Sequence, residues 1–246
     1  DLVIANNVLA HVPDVNDFVE SFYIILKPQG IITFEFPHLL NLIKFNQFDT
    51  IYHEHFSYLS LIAVQNIIEK FKLEIFNIEE IATHGGSLRL YLQNSETGSQ
   101  KIQSSVNKLI KKEVDFGIKK EETYFNFKNK VNKVKYEFCN FLEAVEKNKS
   151  KIVAYGAAAK GNTLLNYIGL KKDLIKYVVD SSLYKQGKFL PGNAIEIVSH
   201  DVIRIEKPDY ILILPWNLEK EIIDSLFYVR EWNCKFVVVI PKLRII

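Results

Sequence analysis

The chain has 246 residues, 48% apolar and 24% charged, with 31 Lys and Arg against 29 Asp and Glu for a formal net charge of +2. That balance argues against a nucleic-acid groove or an anionic membrane as the main partner, and the length allows one large domain or two modest ones. No apolar run is long enough to span a bilayer, and the sequence shows no signal-peptide pattern. Its two cysteines, Cys139 and Cys234, lie far apart, which fits free thiols in a reducing cytoplasm.

Residues 2–5 are a short apolar run that reads as a parallel strand buried on both faces. The chain contains no methionine, so this strand at its very start implies that a further segment precedes Asp1. The polar turn Asn6-Asn7 follows, then His11-Val12-Pro13-Asp14. Asp14 is placed to cap a helix in which Val15, Phe18, Val19, Phe22 and Ile25 recur at helical spacing. Lys27-Pro28-Gln29-Gly30 stops that helix, and residues 31–36 read as a second strand ended by Pro37.

Residues 38–60 are rich in aromatics and His and show no clean period. A helix returns over 61–71. Residues 73–81 and 87–93 alternate like strands, joined by Thr83-His84-Gly85-Gly86. From 101 to 149 the chain is strongly charged. Phe125, Val131, Val134, Phe138, Leu142 and Val145 recur there in a way that suits one or two long amphipathic helices.

Residues 151–155 open a new module as a strand. Gly156-Ala157-Ala158-Ala159-Lys160-Gly161 reads as a small-residue loop and 162–168 as a helix. A strand over 175–179 ends at Asp180. Residues 210–215 and 235–241 add two strands with an amphipathic helix between them. The alternation of strand and helix argues for a parallel sheet flanked by helices.

Three groups of residues can carry chemistry. The first is Asn6-Asn7 with His11, just after a strand, where open α/β sheets take their ligands. A turn-capping role for the two Asn residues is the plain alternative. The second is Tyr52-His53-Glu54-His55-Phe56-Ser57-Tyr58. An imidazole can act as base, a carboxylate can orient it, and a phenol can hold an oxyanion. His53 and His55 also suit a metal, but no further ligand is evident, and a helix-capping loop is the bland reading. The third is the run from Gly156 through Lys160, Gly161, Asn162 and Thr163, with Asp180 beyond. A strand, a tight turn and a helix start suit a phosphate, and an acid at the next strand end suits a ribose. The run is not a full Gly-x-Gly-x-x-Gly, so a dinucleotide fingerprint is weak, and a close-packed turn is the rival.

The series Asn-Val-Leu-x-His-Val-Pro-Asp, helix, Leu-Lys-Pro-x-Gly and strand, over residues 1–93, resembles the second half of a class I methyltransferase. Tyr-x-Glu-His-Phe-Ser-Tyr at 52–58 and His-Gly-Gly-Ser-Leu-Arg at 84–89 resemble the signature of S-adenosylmethionine-dependent sugar C-methyltransferases of branched deoxysugar biosynthesis. Tyr155 to Tyr167, Asp180, and Lys185 to Gly192 are similar to the carboxy-terminal domain of the same family.

The resemblance implies an α/β fold in three parts. Residues 1–97 form the second half of a Rossmann-like methyltransferase sheet, 98–149 a helical connector, and 150–246 a second Rossmann-like parallel α/β domain that binds a nucleotide sugar. It implies methyl transfer from S-adenosylmethionine to a carbon alpha to the ketone of a nucleotide-linked keto-deoxysugar, through an enolate. His55 is then the base, with Tyr52, Glu54 and His11 lining the site and Asn6 and Asn7 facing the cofactor. Lys160, Lys185 and Lys188 are candidate diphosphate contacts, with Gly156, Gly161, Asn162, Thr163 and Asp180 around them. The family's cysteine-rich zinc domain and its Gly-rich cofactor loop do not occur in the sequence. The resemblance therefore places zinc and most of the cofactor site ahead of Asp1, holds no metal in these residues, and makes the chain alone inactive. A non-catalytic nucleotide-sugar binding module and a nicotinamide-dependent sugar oxidoreductase are the competing functions.

Overall fold

A computed structural model of the protein describes residues 1–170 and 174–246, with the side chain of His84 outside the described set. The chain divides into two compact units. Residues 1–44 with 53–126 form one, and 45–52 with 127–246 form the other.

In the first unit, β1 (Leu2–Asn6) leads through a 3-10 turn (Leu9–His11) into α1 (Val15–Ile25). The Asp14 carboxylate caps α1 by accepting from the Asn16 and Asp17 amides. β2 (Ile31–Pro37), α2 (Leu39–Lys44) and α3 (Leu61–Ile68) follow, then the hairpin of β3 (Leu73–Ile81) and β4 (Ser87–Asn94), and α4 (Ser104–Phe116). The sheet order is β1-β2-β4-β3. β1 and β2 are parallel, whereas β4 lies antiparallel between β2 and β3. This is the Rossmann-like α/β arrangement the resemblance implies.

β2 is covered on both faces: Ile32, Phe34 and Phe36 are fully buried on one, and Thr33 and Glu35 are buried on the other. β1 is not covered on both faces, contrary to the sequence reading. It is an edge strand whose alternate side chains Leu2 and Ile4 stay 58% and 59% exposed, while Ala5 packs inward. The 61–71 helix also differs: it gives way to a 3-10 turn over Glu69–Phe71.

The charged stretch forms α4 and then α5 (Glu121–Lys147). Val131, Val134, Phe138, Leu142 and Val145 are its buried stripe, whereas Phe125 stays exposed. The division between the two units falls within α5.

The second unit contains β5 (Ile152–Tyr155), α6 (Ala159–Ile168), β6 (Ile175–Val179), β7 (Glu196–Val198), α7 (Asp201–Glu206), β8 (Tyr210–Ile213), α8 (Glu219–Ser225), β9 (Lys235–Val238) and β10 (Arg244–Ile245). Its sheet order is β10-β9-β8-β5-β6-β7. All pairings from β7 to β9 are parallel, and β10 closes the edge antiparallel. Apolar residues of α5 and α6 cover one face of the sheet, and those of α7 and α8 the other.

The chain runs outward from β5 to β6 and β7, then returns to the other side of β5 with β8. The carboxyl ends of β5 and β8 therefore form the topological switch point, where open α/β sheets take ligands. α6 starts at Ala159, three residues before the helix read from sequence. Lys160 and Gly161 therefore lie on its first turn and not in the loop, joining Asn162 and Thr163, which the sequence already placed in the helix.

Candidate functional site

In the first unit the site grows from the end of β1. Asn6 and Asn7 are exposed there, and Asn7 turns the chain in the left-handed region at φ 56° while its amide donates to Glu35 O at 2.7 Å. The following 3-10 turn is rooted by Leu9, which is fully buried, and presents His11 to solvent. The carbonyl of Ala10 at that turn accepts from the amides of Phe56 and Ser57, at 2.8 and 3.2 Å. Those two bonds clamp the second histidine run against the first. The rings of His11 and His55 thus meet with centroids 4.8 Å apart at 71°, and Tyr58 faces His55 at 5.9 Å. His53 and Glu54 are exposed, and His55 and Tyr52 are half-buried. Tyr52 belongs to the compact division of the second unit, with residues 45–52.

Both ends of the 38–60 segment are tied by a residue that sequence reasoning missed. Glu113 of α4 is fully buried. Its carboxylate accepts from the Leu61 and Ile62 amides at 2.7 and 2.9 Å and pairs with His38 Nε2 at 2.7 Å. A carboxyl group thus caps the start of α3 from a distance and holds the end of β2. Its only sequence signal is an acid falling on the apolar stripe of an amphipathic helix.

Arg89 of the Gly-Gly-Ser-Leu-Arg run faces Glu35 across β4 and β2, with Nε and Nη2 at 3.0 and 2.7 Å from Oε2. It serves as a cross-strand tie. The His84 side chain of the same run lies outside the described residues. Among the described residues no three His, Cys, Asp or Glu side chains group as metal ligands, and no helix is long and apolar enough to cross a membrane.

In the second unit an open cleft of about 560 Å³ lies at the switch point, lined by Tyr155, Gly156, Asp180, Ser182, Lys185 and Ser225 among others. Gly156 has φ 90°, and a Cβ there would sit 2.5 Å from Pro215 Cδ, so only glycine fits. Gly161 is a packing glycine: it is buried, and its Cβ would meet that of Leu214 at 2.5 Å. The packing alternative for this turn therefore holds for Gly161, whose surroundings are apolar.

Asp180, at the end of β6, is nearly buried and already engaged. Oδ2 accepts from Ala157 N at 2.8 Å and from Lys185 Nζ at 3.1 Å, while Oδ1 accepts from Ser182 N at 2.8 Å. Lys185 also donates to Ala157 O at 2.9 Å, so it braces the loop at the cleft wall. Thr163 Oγ1 donates back to Ala159 O, and Asn162 accepts from Asn166, so both polar groups turn to their own helix. Lys188 is exposed.

Lys160 does not itself line that cleft, but its partners Trp216 and Asn217 lie between the lining residues Pro215 and Leu218. Its ammonium lies 4.5 Å from the Trp216 ring centroid and donates to Asn217 Oδ1 at 3.1 Å. Burial lowers its pKa, and the charge of Asp49 partly restores it. Burial pushes Asp49 itself up to about 7, against the hydrogen bond from Trp216 and the charge of Lys160. Sequence reasoning also missed the pair of Tyr155 OH and His200 Nε2, 3.2 Å apart. Burial first, and then Asp180, raise the Tyr155 phenol above its ordinary range.

The chain is similar to known proteins along nearly its whole length. Residues 82–241 match the model of the C-methyltransferase C-terminal domain, and residues 1–77 match a methyltransferase domain. The C-methyltransferase NovU of Streptomyces niveus is 34% identical over 245 residues, a match that takes in 100% of this chain and 58% of that protein. The chain thus spans less than two thirds of the length of its curated relative. It belongs to the C-methyltransferase family, and carries that family's C-terminal domain over residues 82–241.

Proposed function

We propose that the protein of which this chain is part transfers a methyl group from S-adenosylmethionine to a carbon alpha to the ketone of a nucleotide-linked keto-deoxysugar. The observation that supports it is the meeting of His11 and His55 at the carboxyl end of β1. Two imidazoles from separate segments share the sheet edge where an α/β methyltransferase domain takes its ligands.

A sugar carbon is a poor acid until a neighbouring ketone can take up the charge of deprotonation. His55 is the base in this reading. It is half-buried, clamped through the Ala10 carbonyl, and flanked by His11 and Tyr58, which steady its ring. A base so placed contributes roughly 10²–10⁴ in rate. Glu54, the adjacent residue, is the orienting carboxylate, and Tyr52 of the same sequence motif is the candidate oxyanion donor.

Asn6 and Asn7 fit the uncharged polar edge of an adenosine, being exposed amides at a strand end with Asn7 fixed by its own backbone bond. Bound there, S-adenosylmethionine supplies an electrophilic methyl for the carbanion. In the second unit, Lys160 and the cleft walled by Gly156, Asp180 and Lys185 take the diphosphate, with exposed Lys188 as a further contact.

The full-length protein, given S-adenosylmethionine and nucleotide-linked keto-deoxysugars, should yield a sugar bearing a new carbon–methyl bond. Methyl transfer to oxygen or nitrogen alone, or stoichiometric binding without turnover, would sink the reading.

A further inference from the structure

One buried acid has no part in the reaction proposed above. Asp49 is 0% exposed, in a 3-10 turn (Phe48–Thr50) that packs on α6 through Phe48, whose ring centroid lies 5.1 Å from that of Tyr167. Its Oδ2 accepts from Trp216 Nε1 at 2.7 Å, and its Oδ1 is buried with no hydrogen-bond partner among the described residues. The other side of the same indole carries the Lys160 ammonium, 4.5 Å from the ring centroid. Acid, indole and ammonium thus form one chain of contacts within the second unit.

We propose that Asp49 is the positioning residue of Lys160: ionised, it holds the ammonium on the Trp216 face, and protonated, it frees that charge for a substrate diphosphate. The proposal rests on reading Lys160 as a phosphate contact. An indole N–H that donates to a carboxylate pushes electron density into the ring, and a richer ring face binds a cation more firmly. The direct attraction between Asp49 and Lys160 acts in the same direction. A neutral Asp49 loses both effects. Burial holds its ionisation near pH 7, so both forms are populated around neutrality. Among the groups on the packed elements, Lys160 of α6 is the charge acting on Asp49, Tyr167 of the same helix meets Phe48, and Trp216 is a neutral donor.

The test is calorimetric binding of uridine, thymidine, guanosine and adenosine diphosphoglucose to the full-length protein between pH 6 and 8. The phosphates of these diesters do not titrate in that range. The native protein should bind its preferred nucleotide sugar about fivefold more tightly at pH 6 than at pH 8. Asp49→Asn keeps an acceptor for Trp216, and should hold the tighter affinity across the range. Trp216 fluorescence, taken as the difference between the protein and its Trp216→Phe variant, should titrate near neutrality with Asp49 present and stay flat in Asp49→Asn. Binding that Lys160→Ala weakens, but that ignores pH and Asp49→Asn, overturns the role of Asp49 alone. Absence of binding by every nucleotide sugar overturns the reading of Lys160 and this proposal with it. A flat fluorescence profile in the native protein breaks the link between Asp49 and Trp216.

Discussion

His11 and His55 meet edge to face, with ring centroids 4.8 Å apart, because the Ala10 carbonyl accepts from two successive amides of the second histidine run. If His55 is the base, its loss falls on the transition state and not on binding. His55→Asn in the full-length protein should lower kcat by about 10²–10⁴ while leaving the affinity for both substrates near the native value. Exchange of the acidic sugar hydrogen with solvent deuterium should disappear with it. His11→Asn should do less, since it removes a neighbour and not the acceptor of the proton. An active His55→Asn with an inactive His11→Asn reverses the two roles.

Lys160 and Lys185 should separate cleanly, because the structure gives them different partners. Lys160 stands on the Trp216 face and donates to Asn217. Lys160→Ala should raise KM for the nucleotide sugar about tenfold, with kcat nearly unchanged and thermal stability close to native. Lys185 braces Asp180 and the Ala157 carbonyl. Lys185→Ala should therefore lower Tm by a few degrees as well as weakening binding. Equal melting temperatures for the two variants would remove the bracing role.

Much of this arrangement is legible in the sequence, and the exceptions have physical causes. The strands at 31–37, 73–81 and 87–94 follow from period and turn signals, as does α1 from its Asp14 cap. The start of α6 was missed because Ala159, Lys160 and Gly161 look like loop but take helical geometry, with Gly161 pressed on Leu214. β7 is only three residues, Glu196–Val198, too short to show alternation. Leu2 and Ile4 read as core because apolarity carries no information on which face a neighbour covers. The histidine runs stood out by composition, but nothing in the spacing marked Glu113 or Asp49. Their importance comes from what lies beside them in three dimensions.

Glu113 offers a stability test. Its buried carboxylate serves the Leu61 and Ile62 amides and His38 at once. Glu113→Ala would leave three buried groups without their partner, at a cost of about 3 kcal/mol or more. For a chain of this size that lowers Tm by roughly 6–12 °C. Glu113→Gln keeps one acceptor but turns an amino group toward a donor, so it should fall between Ala and native. Because the bonds anchor both ends of the segment carrying His55, activity should fade below the global unfolding temperature in both variants. Activity and unfolding that fail together would confine Glu113 to general stability.

Asp49 gives a pH dependence whose direction is opposite to that of an ordinary paired carboxylate. Its pKa is about 7 in the folded protein against a reference value of 3.8. Between those values the folded protein keeps a proton that the unfolded chain has released. Stability from this group is therefore greatest below about pH 4, declines as pH rises, and reaches its full penalty above about 7. The span corresponds to at most about 4 kcal/mol, since each unit is worth about 1.4. Asp49→Asn abolishes the titration and retains an acceptor for the Trp216 N–H. The variant should match or trail the native protein in urea unfolding at pH 5 and exceed it at pH 8. Variant stability minus native stability should rise from pH 5 to about pH 7 and level off above it. A constant difference across that range would show that the Asp49 carboxyl does not change its protonation on folding, and its buried, half-satisfied state would then need another source of compensation.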